Sequence, residues 1–338
     1  YGMTIEPAAV KALGAPVSPD SRTIPVLAVA RLSPLYMARL SDAYDLHVLP
    51  DLDAAALAAL APRIRAIAAS GDSKVPADLM AQLPALQVIA VMGVGYDGVD
   101  LAAAKARGVM VTHTPDVLND DVADLALGLM LSTARQLPAA DRFVRSGQWL
   151  QGNMPLARKM SGARVGIVGM GRIGQAIAHR AQAFGMTIAY TARSAKADLP
   201  HRYLPSAAAL AEESDFLVVI TPGGAATRHL INAEVLAALG RSSPAGGILV
   251  NVARGSVVDE AALIDALERG VIAGAGLDVF ESEPQVPERL RALPQVVLTP
   301  HVGSATQGTR QAMADLAFTN LQLHLNSQPV RTPVPECR

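Results

Sequence analysis

Cysteine is nearly absent from this chain of 338 residues, because Cys337 is the only one. A disulfide within the chain is therefore excluded, and a reducing compartment, the cytoplasm, is expected. Charge of one sign is also lacking, since 29 basic and 30 acidic residues leave a net charge of −1. Uninterrupted apolar runs reach only about ten residues, which is too short for a membrane-spanning helix. The composition therefore gives no indication of a nucleic acid or a membrane as a partner.

What the sequence has instead is a glycine-rich turn between two apolar runs. Residues 164–194 read RVGIVGMGRIGQAIAHRAQAFGMTIAYTARS, which predicts strand, turn, helix and strand. Gly169 permits a tight turn, Gly171 lets backbone N–H groups approach a pyrophosphate, and Gly174 lets the helix pack closely on the strand. A chance glycine-rich turn is the alternative, but the complete strand–turn–helix–strand unit favours a dinucleotide site.

The residues after the second of these strands bear on the choice of cofactor. An NAD site of this kind usually has Asp or Glu there, which accepts a hydrogen bond from the ribose 2′-hydroxyl. This chain has Arg193 and Ser194 instead, no acid between Gly174 and Ser194, and a further positive charge at Lys196. A guanidinium group suits a 2′-phosphate through paired, charge-assisted hydrogen bonds. We therefore predict that NADP(H) is preferred. A solvated Arg193 with use of both cofactors is the alternative, so use of NAD(H) stays open.

Apolar runs alternate with helical patterns twice along the chain, before residue 115 and again over 164–300. Such alternation is typical of parallel sheets with helices on both faces, and apolar residues, 51% of the total, suffice for two cores. We predict an α/β fold with two domains, a Rossmann-type doubly wound parallel sheet and a flavodoxin-like α/β domain. A helical pattern over 305–325 is expected to return the chain to the first domain. The predicted strands are 24–30, 46–49, 64–69, 86–92 and 109–112 in the first series and 165–168, 187–191, 216–220, 247–252, 272–277 and 296–298 in the second.

A further helix is expected between the two series. Asn119 is predicted to cap it, and Asp120 and Asp121 favour its positive N-terminal end. Its apolar residues occupy nearly every side, since Leu127 and Leu131 fall outside the main apolar stripe. We therefore expect this helix to be buried on every side, either in a hinge core or in the interface of a homodimer.

Three polar side chains follow predicted strands of the second series. Arg254 comes after ILVNVA, Glu283 after GLDVF, and His301 after VVLTP. Ligands of open α/β sheets bind at the carboxyl ends of strands, so these residues are expected at one edge. Each alone is more often a surface ion-pair partner, a solvated acid or a structural histidine. Together they match what hydride transfer to a 2-oxo acid needs: a cation for the carboxylate and carbonyl, a proton donor, and a carboxylate that orients the donor.

Four runs in this order and spacing, GMGRIG, NVARGSVVDE, GLDVFESEP and PHVGSAT, resemble the D-isomer-specific 2-hydroxyacid dehydrogenases. The resemblance extends upstream through MGVGYDGVD and VTHTPDVLNDDVADLAL and covers most of residues 88–307. It implies two α/β domains, in which 3–117 and 305–333 bind the substrate and 118–304 bind the dinucleotide. It also implies a homodimer formed through the cofactor domain.

The resemblance further implies a role for each candidate. Arg254 would bind substrate, Glu283 and His301 would form the acid/base pair, Asp278 would contact the nicotinamide side, and no metal is expected. Glycine-rich backbone N–H groups suit a substrate carboxylate. The implied substrate-binding residues are Gly93, Val94, Gly95, Arg254 and His301. The implied cofactor-binding residues are Gly169, Gly171, Arg172, Ile173, Gly174, Arg193, Ser194, Thr221, Thr227, Val252, Asp278, His301 and Gly303.

Within the family, the Arg193–Ser194 pair and the GVGYD loop are most similar to the NADPH-dependent glyoxylate and hydroxypyruvate reductases. The expected function is NADP(H)-dependent reduction of these small 2-oxo acids to D-2-hydroxy acids. A reductase of larger 2-oxo acids, such as 2-ketogluconate, phenylpyruvate or hydroxyphenylpyruvate, is the first alternative. A non-enzymatic, dinucleotide-sensing protein like the corepressors that share this fold is the second, and the intact set of Arg254, Glu283 and His301 disfavours it.

Overall fold

Runs of valine, isoleucine, leucine and alanine form the buried strands of two parallel sheets in this computed structural model. The structure describes residues 19–241, 243 and 246–337, so the first part of the predicted first domain, 3–18, lies outside the described residues. The described residues form two units. The first runs up to Val117 and resumes at Gln307, and the second is Leu118–Thr306.

The elements alternate between strand and helix along most of the described chain, as expected for parallel sheets. The strands are β1 (Pro25–Ala28), β2 (Asp45–Val48), β3 (Ala66–Ser70), β4 (Val88–Met92), β5 (Met110–Thr112), β6 (Arg164–Val168), β7 (Thr187–Thr191), β8 (Arg202–Tyr203), β9 (Phe216–Val219), β10 (Ile248–Asn251), β11 (Gly274–Leu277) and β12 (Val296–Leu298). The helices are α1 (Pro34–Ala43), α2 (Ala54–Leu60), α3 (Ala77–Ala81), α4 (Leu101–Ala106), α5 (Asn119–Ala134), α6 (Leu137–Arg145), α7 (Arg172–Ala183), α8 (Ala207–Glu212), α9 (Ala233–Arg241), α10 (Glu260–Glu268), α11 (Glu288–Arg291) and α12 (Gln307–Leu325).

The strand orders identify the two sheets. The sheet of the first unit has the order β2-β1-β3-β4-β5, with parallel pairing throughout, which is the flavodoxin-like order. The sheet of the second unit has the order β12-β11-β10-β9-β6-β7-β8, also parallel. Numbered within its unit, this is the Rossmann order 3-2-1-4-5-6 with a seventh strand added beside the sixth. The predicted fold class is therefore confirmed.

The predicted strand positions agree with the structure to within two residues at each end, with one strand missed. That strand, β8, contains only Arg202 and Tyr203 and lies at the edge of its sheet beside β7. A two-residue edge strand carries no apolar run, so periodicity gives no signal for it. The C-terminal helix α12 begins at Gln307 rather than at the predicted residue 305, and it packs on β4 and α1 of the first unit.

The helix α5 begins differently from its prediction. Asn119 is its first helical residue, and Leu118 occupies the N-cap position without a capping side-chain hydrogen bond. Asp120 and Asp121 lie in the first turn, where the helix dipole favours them. The prediction of an Asn119 cap was therefore wrong, because the chain enters the helix one residue earlier than the side-chain pattern indicated.

The burial of α5 also differs from the prediction. Asp120, Asp124 and Gly128 form an exposed stripe at a spacing of four residues, and both aspartates bind Arg180 of α7. The helix packs on α7, β10, β11 and β12 of its own unit, which leaves Leu127 only 8% exposed. Within its own unit the helix is therefore not buried on every side, because a charged stripe stays exposed, and burial of that stripe in a homodimer stays a prediction. No described helix is long and apolar enough to cross a membrane.

Two helical glycines, Gly128 in α5 and Gly174 in α7, should respond in opposite ways to alanine. A Cβ at Gly128 meets nothing within 4 Å, so Gly128→Ala is expected to raise the free energy of unfolding by about 0.5–1 kcal/mol through helix propensity. A Cβ at Gly174 would overlap the carbonyl oxygen of Gly169, so Gly174→Ala should lower that free energy by about 1–3 kcal/mol. Urea denaturation of both variants measures the two changes. Equal changes in both would contradict the close packing of α7 on its turn.

Candidate active site

The turn between β6 and α7 can be built only with glycine at two positions. Gly169 has φ +105°, and a Cβ there would overlap the carbonyl group of Ile220 at the end of the neighbouring strand β9. Its N–H donates to the carbonyl oxygen of Thr191 at 2.9 Å, which ties the turn to the end of β7. A Cβ at Gly174 would overlap the carbonyl oxygen of Gly169. The helix therefore begins as close to the strand as a dinucleotide turn requires.

The N-terminus of α7 fits a phosphate group. Gly171 is the N-cap residue, no side chain caps it, and the first turn contains no acid. A Cβ at Gly171 would meet nothing within 4 Å, so the space above the turn is open. The helix dipole places partial positive charge at this open end. Arg172 is exposed and Ile173 is partly buried beside it. The residues present thus suit the pyrophosphate of a dinucleotide.

The end of β7 presents Arg193 and Ser194 to solvent. The loop that they begin is anchored a little further on, where the Lys196 N–H donates to the Tyr190 hydroxyl at 2.7 Å. An exposed guanidinium at this strand end is placed where the 2′-phosphate of NADP(H) is bound in such folds. The loop also contains one exposed acid, Asp198, beyond the predicted phosphate-binding pair.

The other predicted cofactor residues follow the carboxyl ends of adjacent strands. Thr221 follows β9. Val252 follows β10, and its N–H donates to the carbonyl oxygen of Val219 at 3.2 Å. The Thr227 hydroxyl donates to the carbonyl oxygen of Pro222 at 2.7 Å, so this side chain is engaged within its own loop. Because these strands are parallel neighbours, their carboxyl ends meet at the edge that carries the glycine turn.

The structure brings His301 and Glu283 together. His301 Nδ1 lies 2.7 Å from Glu283 Oε2, and the side chains are 31% and 30% exposed. The Phe280 N–H donates to the other carboxylate oxygen, Glu283 Oε1, at 2.9 Å. An ionised carboxylate only accepts hydrogen bonds, so Nδ1 carries the shared hydrogen and Nε2 is the nitrogen at which His301 exchanges a proton.

Electrostatics favour the ionised form of Glu283. Burial alone would raise the pKa of this carboxyl and is the largest single effect, whereas the hydrogen bonds from His301 and the Phe280 N–H lower it. The charges of His301 and Arg254 act in the same direction, and the net result is a pKa below the ordinary value. Arg254 is therefore near enough to influence the pair.

Arg254 is held by the backbone that surrounds it. It lies three residues after the end of β10, and its Nη1 donates to the carbonyl oxygen of Ala253 at 2.9 Å. The Asn251 amide group donates to the Arg254 carbonyl oxygen and accepts from the Ala253 N–H, each at 3.0 Å. A Cβ at Gly255 would overlap the Phe280 carbonyl group, so this segment lies directly against the one that carries Glu283.

Asp278 holds the loop that carries His301. Its side-chain oxygens accept three hydrogen bonds, from the Thr299 hydroxyl at 2.6 Å and from the N–H groups of Val302 and Gly303 at 2.8 Å each. Its carbonyl oxygen accepts from the His301 N–H at 2.8 Å. Asp278 is only 2% exposed, and His301 has φ +52°. A left-handed conformation is uncommon for residues other than glycine and persists where the surroundings fix it.

The three remaining candidates, Gly93, Val94 and Gly95, lie in the first unit, directly after β4. The Gly93 carbonyl oxygen accepts from the Thr114 N–H at 2.8 Å, and the Val94 carbonyl oxygen lies 3.0 Å from His113 Nδ1. The carbonyl oxygens of Gly93 and Val94 are thus turned toward their own unit. Arg254, Glu283 and His301 by contrast all lie in the second unit. Among the residues that the structure describes, no group of three or more His, Cys, Asp or Glu side chains is arranged to hold a metal ion.

Sequence reasoning missed the residues that hold the candidates in place. Asn251 is the polar last residue of the buried strand ILVN, and that position was a usable signal. Thr299 had no comparable signal, because its partner Asp278 lies 21 residues earlier in the chain. The same is true of the Phe280 N–H, a backbone group that carries no side-chain identity.

The sequence matches the family model of the D-isomer specific 2-hydroxyacid dehydrogenase NAD binding domain over residues 127–303, slightly more than half of the chain. This chain belongs to the D-isomer specific 2-hydroxyacid dehydrogenase family. It is therefore an enzyme, as predicted, and residues 127–303 bind a nicotinamide dinucleotide.

Relatives within the 2-hydroxyacid dehydrogenase family are close. Glyoxylate/hydroxypyruvate reductase A of Arabidopsis thaliana is 49% identical over 271 residues, which cover 80% of this chain and 85% of the relative. Hydroxyphenylpyruvate reductase of Plectranthus scutellarioides is 49% identical over 278 residues, covering 82% and 88%. The solved structure of an NADPH-dependent glyoxylate/hydroxypyruvate reductase of Sinorhizobium meliloti, in complex with NADP and malonate, superimposes with a TM-score of 0.87. It is 47% identical and covers 93% of this chain and 97% of its own.

Proposed function

We propose that this dehydrogenase reduces small 2-oxo acids, glyoxylate and hydroxypyruvate, to D-2-hydroxy acids with NADP(H) as the preferred cofactor. The observation that carries the proposal is the hydrogen-bonded pair of His301 and Glu283, with Arg254 close enough to lower the pKa of Glu283. The pair lies in the unit that also holds the glycine turn. A proton donor, its carboxylate and a substrate cation in one dinucleotide-binding unit match a reduction of 2-oxo acids.

Substrate binding and dinucleotide binding are proposed for different units. We assign substrate binding to 3–117 and 305–333 and dinucleotide binding to 118–304. The flavodoxin-like order of the first sheet and the Rossmann order of the second support this assignment. A cytoplasmic location is part of the same proposal, because an enzyme with a single cysteine, Cys337, suits a reducing compartment.

The reaction needs one hydride and one proton. Reduced nicotinamide, when bound, supplies the hydride to the carbonyl carbon of the substrate. The Arg254 guanidinium binds the carboxylate and polarises the carbonyl oxygen, and the backbone N–H groups of Gly93–Gly95 bind the carboxylate as well. Protonated His301 donates its Nε2 proton to the carbonyl oxygen as negative charge develops there, which yields the hydroxyl group. Glu283 holds the imidazole in orientation and stabilises its charged form.

The preference for NADP(H) rests on Arg193 and Ser194, which are exposed at the end of β7. The Sinorhizobium meliloti relative, which is NADPH-dependent and was solved with NADP, supports it. The other proposed cofactor contacts are the glycine turn, Arg172, Ile173, Thr221, Thr227, Val252 and Gly303. Asp278 is proposed for the nicotinamide side, and its hydrogen bonds to the His301 loop would hold both groups in register.

The assignment of a small substrate competes with an assignment as a reductase of larger 2-oxo acids. The hydroxyphenylpyruvate reductase of Plectranthus scutellarioides is as similar in sequence as the glyoxylate/hydroxypyruvate reductase of Arabidopsis thaliana, at 49% identity. We favour the small acids because the S. meliloti structure, which aligns over 93% of this chain, has that activity in its name. The test is a set of kcat/KM values for glyoxylate, hydroxypyruvate, pyruvate, phenylpyruvate, hydroxyphenylpyruvate and 2-ketogluconate with NADPH. A lead of tenfold, about 1.4 kcal/mol, for any of the last three would overturn the small-acid assignment.

We propose a homodimer that covers an apolar surface of the second unit. Leu127 or Leu131 was expected in the interface; the unit itself already buries Leu127, whereas Leu131 is only partly buried. Large apolar side chains that remain exposed instead follow α5 in sequence: Leu137, Val144, Trp149, Leu150 and Leu156, at 44%, 55%, 64%, 94% and 101% exposure. Such a density of exposed apolar side chains is typical of an interface.

Light scattering at micromolar concentration should give a molar mass of twice 35.1 kDa, and the double variant Trp149→Glu/Leu150→Glu should shift the measured mass toward that of the monomer. A wild-type monomer would contradict the proposal.

The acid/base pair should determine the pH dependence of reduction. We expect His301→Ala to lower kcat by about 10²- to 10⁴-fold, because a general acid contributes about that much, while the Kd of NADPH stays nearly unchanged. Reduction needs protonated His301, so kcat should fall as pH rises through the pKa of His301 in the complex. Glu283→Gln removes the negative charge that favours the protonated form, so the fall should begin at lower pH.

Glu268→Gln is the matched control for that pH measurement, because Glu268 is a carboxylate of the same unit that pairs with Arg289 at the surface. It should leave the kcat profile unchanged. A Glu283→Gln profile identical to wild type would remove Glu283 from the proposed pair.

Arg193→Ala should weaken NADPH binding by about ten- to a hundredfold, since a charge-assisted hydrogen bond to a phosphate contributes roughly 1.5–3 kcal/mol. NADH binding should change little, because NADH has no 2′-phosphate. Fluorescence titration of both cofactors measures the effect. Arg202→Ala is the control, because this exposed arginine binds Glu213 and should affect neither cofactor. A wild-type preference for NADH would refute the cofactor assignment.

A further inference from the structure

His229 lies outside the proposed active site, yet it contacts both segments that carry its residues. It follows a turn after β9, and its backbone N–H donates to the Ser256 carbonyl oxygen at 2.9 Å, two residues beyond Arg254. Its Nε2 lies 2.8 Å from Glu281 Oε1, two residues before Glu283. The imidazole therefore joins the segment after β10 to the segment after β11.

These two segments are also packed backbone against backbone. A Cβ at Gly255 would overlap the Phe280 carbonyl group, so there is no space between the two chains at that point. The Phe280 N–H in turn donates to Glu283 Oε1 at 2.9 Å. A displacement of Glu281 would therefore be passed to Phe280 and from there to the carboxylate that orients His301.

The surroundings of Glu281 make its hydrogen-bonding partners necessary. The Glu281 N–H donates to Glu260 Oε2 at 3.3 Å, which brings a second carboxyl close, and Asp259 Oδ2 lies 3.9 Å from His229 Nδ1. Burial raises the pKa of Glu260, and the charge of Glu281 adds to the rise. Arg228 Nη2 donates to the same Glu281 oxygen at 3.1 Å. Without a positive or donating partner, these carboxyl groups would repel each other and move apart.

The backbone conformation of His229 also indicates that this residue is held in place. Its φ is +50°, a left-handed conformation that is uncommon for residues other than glycine. Such a conformation persists where other interactions fix the residue, and here both its N–H and its Nε2 are engaged. The side chain is 34% exposed and that of Arg228 is 59% exposed, so His229 is the more sheltered partner of Glu281.

We propose that His229 is a positioning residue for this reaction: through Glu281 it fixes the segment that carries Glu283 against the segment that carries Arg254. The proposal rests on the proposed function, because it assumes that Glu283 orients His301 and that Arg254 binds the substrate. His229 itself contacts neither substrate nor cofactor in this role. It acts on kcat, because a misplacement of about 1 Å at an orienting group can cost about a hundredfold in rate.

The test compares three single variants and one double variant of the holoenzyme, assayed with NADPH and glyoxylate. His229→Asn tolerates the left-handed backbone but is too short to reach Glu281. Glu281→Ala removes the other partner, and His229→Gln restores a donor near the position of Nε2. We expect the first two to lower kcat by about ten- to a hundredfold, with the Kd of NADPH unchanged within about twofold. His229→Gln should recover part of the loss.

Two further readouts separate positioning from a general loss of structure. The double variant His229→Asn/Glu281→Ala should be no slower than the slower single variant, because both changes break one interaction. The alkaline fall in kcat should begin at lower pH in His229→Asn, as in Glu283→Gln. Arg289→Ala, which removes a surface ion pair of the same unit with Asp265 and Glu268, is the control and should change neither kcat nor the pH profile.

The outcomes distinguish this inference from the proposed function. Wild-type kcat and pH profile in His229→Asn, with only a lower Tm, would overturn the inference, as would additive effects in the double variant. If His229→Asn does not fold, Glu281→Ala and His229→Gln decide the question by the same criteria. Retained turnover in His301→Ala would instead refute the proposed function. Loss of turnover in His301→Ala together with a wild-type His229→Asn would refute this inference alone.

Discussion

The parallel pairing of the seven-stranded sheet is the constraint on which the proposed active site depends. Parallel strands all deliver their carboxyl ends to the same edge, so residues far apart in sequence become neighbours there. The glycine turn follows β6, Thr221 follows β9, Arg254 follows β10 and Asp278 follows β11. No one of these segments could form the site alone. The strand order decides which of them are adjacent, and it places β9 and β10 between the glycine turn and Asp278.

The buried carboxylate of Asp278 then fixes the position of the His301 loop, which the sheet edge alone does not determine. Asp278 is held at the end of β11 and receives three hydrogen bonds from the loop of His301. Donors to an ionised group bind more strongly than donors to a neutral one. This strength keeps His301 in a left-handed backbone conformation, from which Nδ1 reaches Glu283. The acid/base pair thus depends on a residue that takes no part in proton exchange.

The sequence was most informative where structure is local. The glycine turn and the strands could be predicted because their signals lie within a few consecutive residues, whereas the two-residue strand β8 offers no such run. The cap of α5 was misplaced because Asn119 has good capping chemistry but lies one residue inside the helix. The pair of His229 and Glu281 joins positions 52 residues apart. Only the tertiary structure brings such pairs together, so side-chain positions around the candidate residues could not be predicted.

The second unit is inserted into the first, and its two ends meet. The Thr306 hydroxyl, at the last residue of the insertion, donates to Asp121 Oδ2 near its beginning, at 2.5 Å. Closing a flexible loop of about 190 residues would cost of the order of 5 kcal/mol of chain entropy. Once the second unit has folded, its own two ends lie close together, and most of that entropy has already been lost. The discontinuous first unit can then assemble almost as if its chain were continuous.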